Sequence, residues 1–134
     1  MILMKRGSVQ GLVATLTLTA FSSGTALAGA RDSSAFTLDL TARYASGDLN
    51  SVRAAFDSRS RIGCSLNSDN VVSCTAVNIM GTTATCSKYR PDQAMVNAVL
   101  GLASDGYLYF AWDSRGVCTQ IITETSSRWA PKQP

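Results

Sequence analysis

The chain has 134 residues, 46% of them apolar, no histidine and a formal charge of +3. That length holds one domain core and leaves no room for a second, and an apolar content this high argues against a disordered polymer. Lys5 and Arg6 belong to an N-terminal targeting segment; without them ten basic residues stand against nine acidic ones, which excludes a nucleic-acid footprint.

Met1 to Ala30 has the order of a secretory signal: a basic start, an apolar centre from Gly11 to Phe21, and small residues at Ala26, Ala28 and Ala30. Residues 1–28 are therefore expected to be removed, with cleavage after Ala28 or Ala30, and no membrane span is expected afterwards. The apolar stretch is shorter than the roughly 20 residues a spanning helix needs. Residues 29–127 then form a single domain and 128–134 a tail.

Phe36, Leu38 and Leu40 alternate with Thr37, Asp39 and Thr41, which predicts a strand within 31–46. In the next segment Leu49, Val52 and Phe56 are spaced for a short helix or a loop that covers the core. Arg53, Arg59 and Arg61 cluster there, but Asp48 and Asp57 interleave with them, and a solvated mixed-charge face outweighs an anion site. Ile62 to Leu66 and Val71 to Val77 flank Asn67, Ser68, Asp69 and Asn70, a hairpin signal. Gly81 at the left-handed position of a following turn sets Asn78 opposite Thr82 and Cys74 opposite Cys86.

Pro91 and Asp92 suit a helix start, and Val96, Val99, Leu100 and Ala103 make an apolar stripe with Met95 and Leu102 on its margin. The predicted helix runs from Pro91 to Ala103, with Gly106 ending the segment. Asp113, Ser114, Arg115 and Gly116 repeat the turn at Gly81, which pairs Asp113 with Val117 and Trp112 with Cys118. Period-two alternation then puts Leu108, Phe110, Trp112, Cys118 and Ile122 on a core face, and Tyr107, Tyr109, Thr119 and Ile121 on the other.

Four cysteines in an exported chain predict two disulfides among Cys64, Cys74, Cys86 and Cys118. Zinc is disfavoured because there is no Cys-x-x-Cys knuckle and no histidine. The register favours Cys74 with Cys86, leaving Cys64 with Cys118. Without an imidazole base the commonest hydrolases are excluded, and the carboxylates are scattered, three of them (Asp69, Asp105, Asp113) in turns. A serine with Lys88 as base is the remaining enzymatic route, outweighed by Lys88 as a surface cation. No cofactor or metal motif is present, and a non-enzymatic protein is expected.

The remaining candidate is a binding surface made by Tyr107 and Tyr109 opposite the core face, with Trp129 of the tail docked nearby, facing a protein or carbohydrate ligand. The competing reading is that these rings shield the sheet. The pattern Gly47, Leu49, Arg53, Ile62-Gly63-Cys64, Cys74, Gly81, Cys86, Trp112-Asp113, Gly116, Cys118-Thr119 and Ser126-Ser127 resembles a group of small exported four-cysteine bacterial proteins. The resemblance implies the fold and an envelope or secreted location; it transfers no activity. The combined expectation is an α+β domain, an antiparallel sheet of about five strands with one helix packed on a face and two disulfides. It would act as a secreted or periplasmic binding or envelope-associated protein. The alternatives are a secreted inhibitor or interaction factor and, more distantly, a histidine-independent hydrolase.

Overall fold

The structure, a computed structural model, describes residues 36–126 and 128. The expected signal, its cleavage points and Trp129 of the tail lie outside these residues. In chain order the elements are β1 (Thr37–Asp39), β2 (Tyr44–Asp48), α1 (Leu49–Arg53), β3 (Arg61–Leu66), β4 (Val71–Val77), β5 (Thr83–Tyr89), α2 (Gln93–Leu100), β6 (Tyr107–Trp112) and β7 (Cys118–Glu124). The α+β class and the antiparallel pairing hold. In place of one sheet of about five strands with one helix, the described residues form seven strands in two sheets, ordered β1-β2-β6-β7 and β3-β4-β5, with two helices.

One of the additional strands comes from a break inside the predicted first one. Asp39 turns its carboxylate onto the N–H groups of Thr41 and Ala42, at 2.9 and 2.7 Å, and Arg43 takes a left-handed φ of 58°. The chain folds back, so that Leu38 faces Ala45 while Leu40 is left in solvent. β2 then ends at Asp48, which caps α1 by accepting the Ser51 N–H at 2.6 Å.

β4 and β5 show why the second sheet has an inside and an outside. Their residues alternate Val72, Cys74, Ala76 and Ala84, Cys86 inward with Ser73, Thr75 and Thr83, Thr85, Ser87 outward. Outside, cross-strand hydroxyl pairs join Ser73 to Ser87 at 3.1 Å and Thr75 to Thr85 at 3.3 Å. Inside, these small residues meet Ala45, Leu108 and Phe110 of the first sheet, with Val52 of α1 and Met95 of α2 completing one core.

The sheets are joined where β5 passes β7. The Ser87 N–H bonds the Gly116 carbonyl at 3.0 Å in an isolated parallel bridge. One residue to either side, a disulfide links Cys86 to Cys118, Cα atoms 5.0 Å apart. The helices pack alongside, α1 against β2 and β3, α2 against β7 and β3.

Helix α2 is shorter than the predicted Pro91–Ala103 and is rotated from the predicted stripe. Asp92 caps it by accepting the Met95 N–H at 2.8 Å, and Gly101 rather than Gly106 closes it. Its inward face is Met95, Val99 and, just beyond its end, Leu102; Leu100 is exposed. Thr123 donates its hydroxyl to the Ala98 carbonyl at 3.0 Å, which ties the helix to β7 with Met95 and Val99 on the core. Gly106 serves a different end, because a Cβ there would lie 2.9 Å from the Glu124 carbonyl oxygen.

In β7 the predicted faces need correcting. Trp112 pairs with Cys118 as expected, but Ala111 pairs with Gln120, so Thr119 is an extra residue in a β-bulge. One extra residue exchanges the faces of everything after it. Ile121 therefore packs on the core and Ile122 stands on the outer face opposite Tyr109. Phe110 is fully buried; Trp112, tilted against it with centroids 5.6 Å apart, is half-buried.

Candidate functional site

All four cysteines are paired, but as Cys64–Cys74 and Cys86–Cys118, not as Cys74–Cys86 and Cys64–Cys118. The predicted register is present: Cys74 does lie opposite Cys86. It also lies opposite Cys64, so the central strand offers it a partner on each side. The turn bonds decide between them. Asn67 bonds Val71 across one turn and Asn78 bonds Thr82 across the next. Stepping inward by alternation, Cys64–Cys74 is a non-hydrogen-bonded pair, with Cα atoms only 4.0 Å apart, and Cys74–Cys86 is the wider hydrogen-bonded kind. The closer pair is bridged, and Cys86 is left for Cys118. The sulfurs of Cys74, Cys86 and Cys118 lie within 4.8 Å of one another, and all three are already committed to the bridges.

Five of the acidic residues are tied up in local structure. Asp39, Asp48, Asp57, Asp92 and Asp113 each accept backbone N–H bonds within their own turn or helix start. For Asp57 the Ser60 and Arg59 amides, in that order, hold its carboxyl below the usual carboxylate value; for Asp113 the Val117 and Arg115 amides do the same. A carboxylate stabilised in its charged form is a poor proton donor at neutral pH. Lys88 lies on the half-buried side of β5, whereas Ser73 and Ser87 bond each other on the opposite side. The serine-lysine route therefore gains no support from those hydroxyls.

The predicted tyrosine surface is partly assembled. Tyr107 and Tyr109 lie on the outer face of the first sheet, half-buried, and the register adds a ring that the sequence reading did not include. Tyr44 of β2 stacks on Tyr109, with centroids 5.6 Å apart and planes 22° from parallel. The bulge at Thr119 brings Ile122 to this face as well. Tyr44 could have been found only by knowing that β2 pairs with β6, a contact between distant parts of the chain. On the other sheet, Gly63 lacks a side chain opposite Thr75 and leaves a shallow depression of about 300 Å³ beside Ser65 and Ser73. Among the described residues no helix is long and apolar enough to cross a membrane.

No protein-family model, no curated protein and no solved structure matches this chain.

Proposed function

We propose that this chain is an exported, non-enzymatic binding domain whose contact surface is the outer face of the β1-β2-β6-β7 sheet. The observation that carries the reading is the stacked Tyr44–Tyr109 pair with the exposed Ile122 beside it. Aromatic rings held on a rigid sheet supply contact area with little entropy left to lose, and their hydroxyls add polar contacts. Such a platform suits a flat protein patch or a sugar ring. The local use of five of the carboxylates supports a role without turnover. Two disulfides in so small a domain fit an oxidising location, as the signal-like start and the resemblance to small exported proteins also imply.

The test is capture of envelope and culture-medium components, and of a glycan panel, on the immobilised chain. Tyr109→Ser and Ile122→Ser should abolish capture while the far-ultraviolet circular dichroism stays unchanged. Turnover of a substrate in a hydrolase screen, lost on replacing one serine or carboxylate, would overturn the reading.

A further inference from the structure

Three turns in this protein share one backbone design. Asn67, Asn78 and Asp113 each occupy the first position; Asn70, Gly81 and Gly116 take left-handed φ values of 57°, 84° and 79° at the fourth. In each, the first residue's side-chain oxygen accepts the N–H of the fifth, at 3.0, 2.9 and 3.0 Å for Val71, Thr82 and Val117. Two of these turns present polar tips, Ser68-Asp69 and Ser114-Arg115. The β4–β5 turn presents Ile79 and Met80, 61% and 78% exposed.

Turn geometry does not ask for apolar residues there, since the other two tips are built without them. Nor do the pair pack on the core. A third apolar side chain, Phe56, is wholly exposed in the loop that leads into β3, the loop that also carries Arg59. β3 begins beside the end of β4, with Arg61 opposite Val77, and the Arg59 guanidinium lies 3.6 Å from where a Gly81 Cβ would be. Arg59 and Arg61 are exposed. The β4–β5 turn carries no charge, and Asp57, the one acid in the loop, is turned onto the Arg59 and Ser60 amides. The result is a hairpin tip of exposed apolar side chains with the Arg59 guanidinium beside it and Arg61 at the start of the neighbouring strand.

We propose that this tip seats the domain on an anionic lipid surface, with Phe56, Ile79 and Met80 entering the headgroup boundary and Arg59 and Arg61 meeting lipid phosphates. A protruding tip has no groove to receive a peptide. A bilayer needs no matching shape, only apolar area and opposite charge, and the tip offers both. This surface is separate from the tyrosine face, and the inference does not rest on that face.

The experiment uses the full chain with phosphatidylcholine vesicles, with and without phosphatidylglycerol. Partitioning should require phosphatidylglycerol and weaken with salt. Serine at Phe56, Ile79 or Met80 should lower it about tenfold for each side chain, and Arg59→Ser or Arg61→Ser about fivefold each. Tyr109→Ser should leave it unchanged, which separates this surface from the proposed binding face. A local reporter removes any contribution of the apolar N-terminal segment, which every variant shares. Met80→Trp fluorescence should be quenched by brominated acyl chains, and Arg115→Trp, at the equivalent position of the β6–β7 turn, should not. Absence of partitioning, equal quenching at both turns, or partitioning unchanged when all three apolar residues are serine would each overturn the proposal.

Discussion

The β4–β5 and β6–β7 hairpins start from the same turn and diverge along their strands. In the first, strict alternation runs from Asn78–Thr82 to Val71–Tyr89, and the inward residues are small. In the second, the bulge at Thr119 interrupts the register two residues from the turn, and the inward residues include Leu108 and Phe110. A shared turn thus fixes where two strands begin to pair but not how far the pairing stays regular. Small residues in β4 and β5 leave room for the large ones that β6 sends across, so the hairpins are complementary halves of one core.

The largest effect expected from breaking this complementarity is at Phe110. Replacing it with alanine should destabilise the protein by about 3 to 5 kcal/mol, as aromatic truncations in cores do, and chemical denaturation will measure it. Tyr109→Ala, one residue along and on the outer face, should cost much less. Equal losses would mean that both faces of β6 are packed alike.

A smaller and matched effect is expected at the two turn glycines. Gly81→Ala and Gly116→Ala each force a Cβ into the left-handed region, at a cost of about 1 to 2 kcal/mol. No atom lies within 4 Å of the Cβ position at Gly116, and at Gly81 only the end of the Arg59 side chain does, so the backbone term alone should act. Similar losses in thermal denaturation sharpen the claim of one turn design; a large difference would break it.

The smallest effect separates the turns by chemistry. Asp113 titrates where Asn78 does not. Its carboxyl is held below the ordinary value by the Val117 and Arg115 amides, so its contribution is complete above the unfolded carboxyl's pKa, about 3.9, and is lost as pH falls through the lower folded value. Amide exchange at Val117 should therefore lose protection, relative to Thr82, once pH falls below about 4. Parallel behaviour of the two amides would contradict the assignment of the Asp113 bonds.

These hairpins also mark how far the sequence could be read. The Asn-x-x-Gly and Asp-x-x-Gly signals placed Asn78 opposite Thr82 and Trp112 opposite Cys118, because turn geometry is local chemistry. The bulge at Thr119 left no such signal: Thr119, Gln120, Ile121 and Ile122 suit either face, and only packing against α2 and Phe110 selects one. The spacing of Phe56 with Leu49 and Val52 suggests a helix or loop that covers the core, but α1 ends at Arg53, the periodicity ends with it, and Phe56 is wholly exposed. Tyr44 joined the tyrosine face through a pairing across some sixty residues of chain, which no local pattern encodes. The cysteine register was legible on both sides of β4; the choice between them depended on which pair lies between hydrogen bonds, and that followed from counting inward from Asn67 as well as from Asn78.

That choice is the point at which the whole architecture can be tested, since Cys86–Cys118 is the covalent link between the two sheets while Cys74–Cys86 would lie within one of them. Non-reducing peptide mapping of the folded chain is the direct measurement. It should recover Cys64 joined to Cys74 and Cys86 joined to Cys118, with no free thiol. Recovery of Cys74 joined to Cys86 would contradict the account, because the β5–β7 contact would then have no disulfide to hold it.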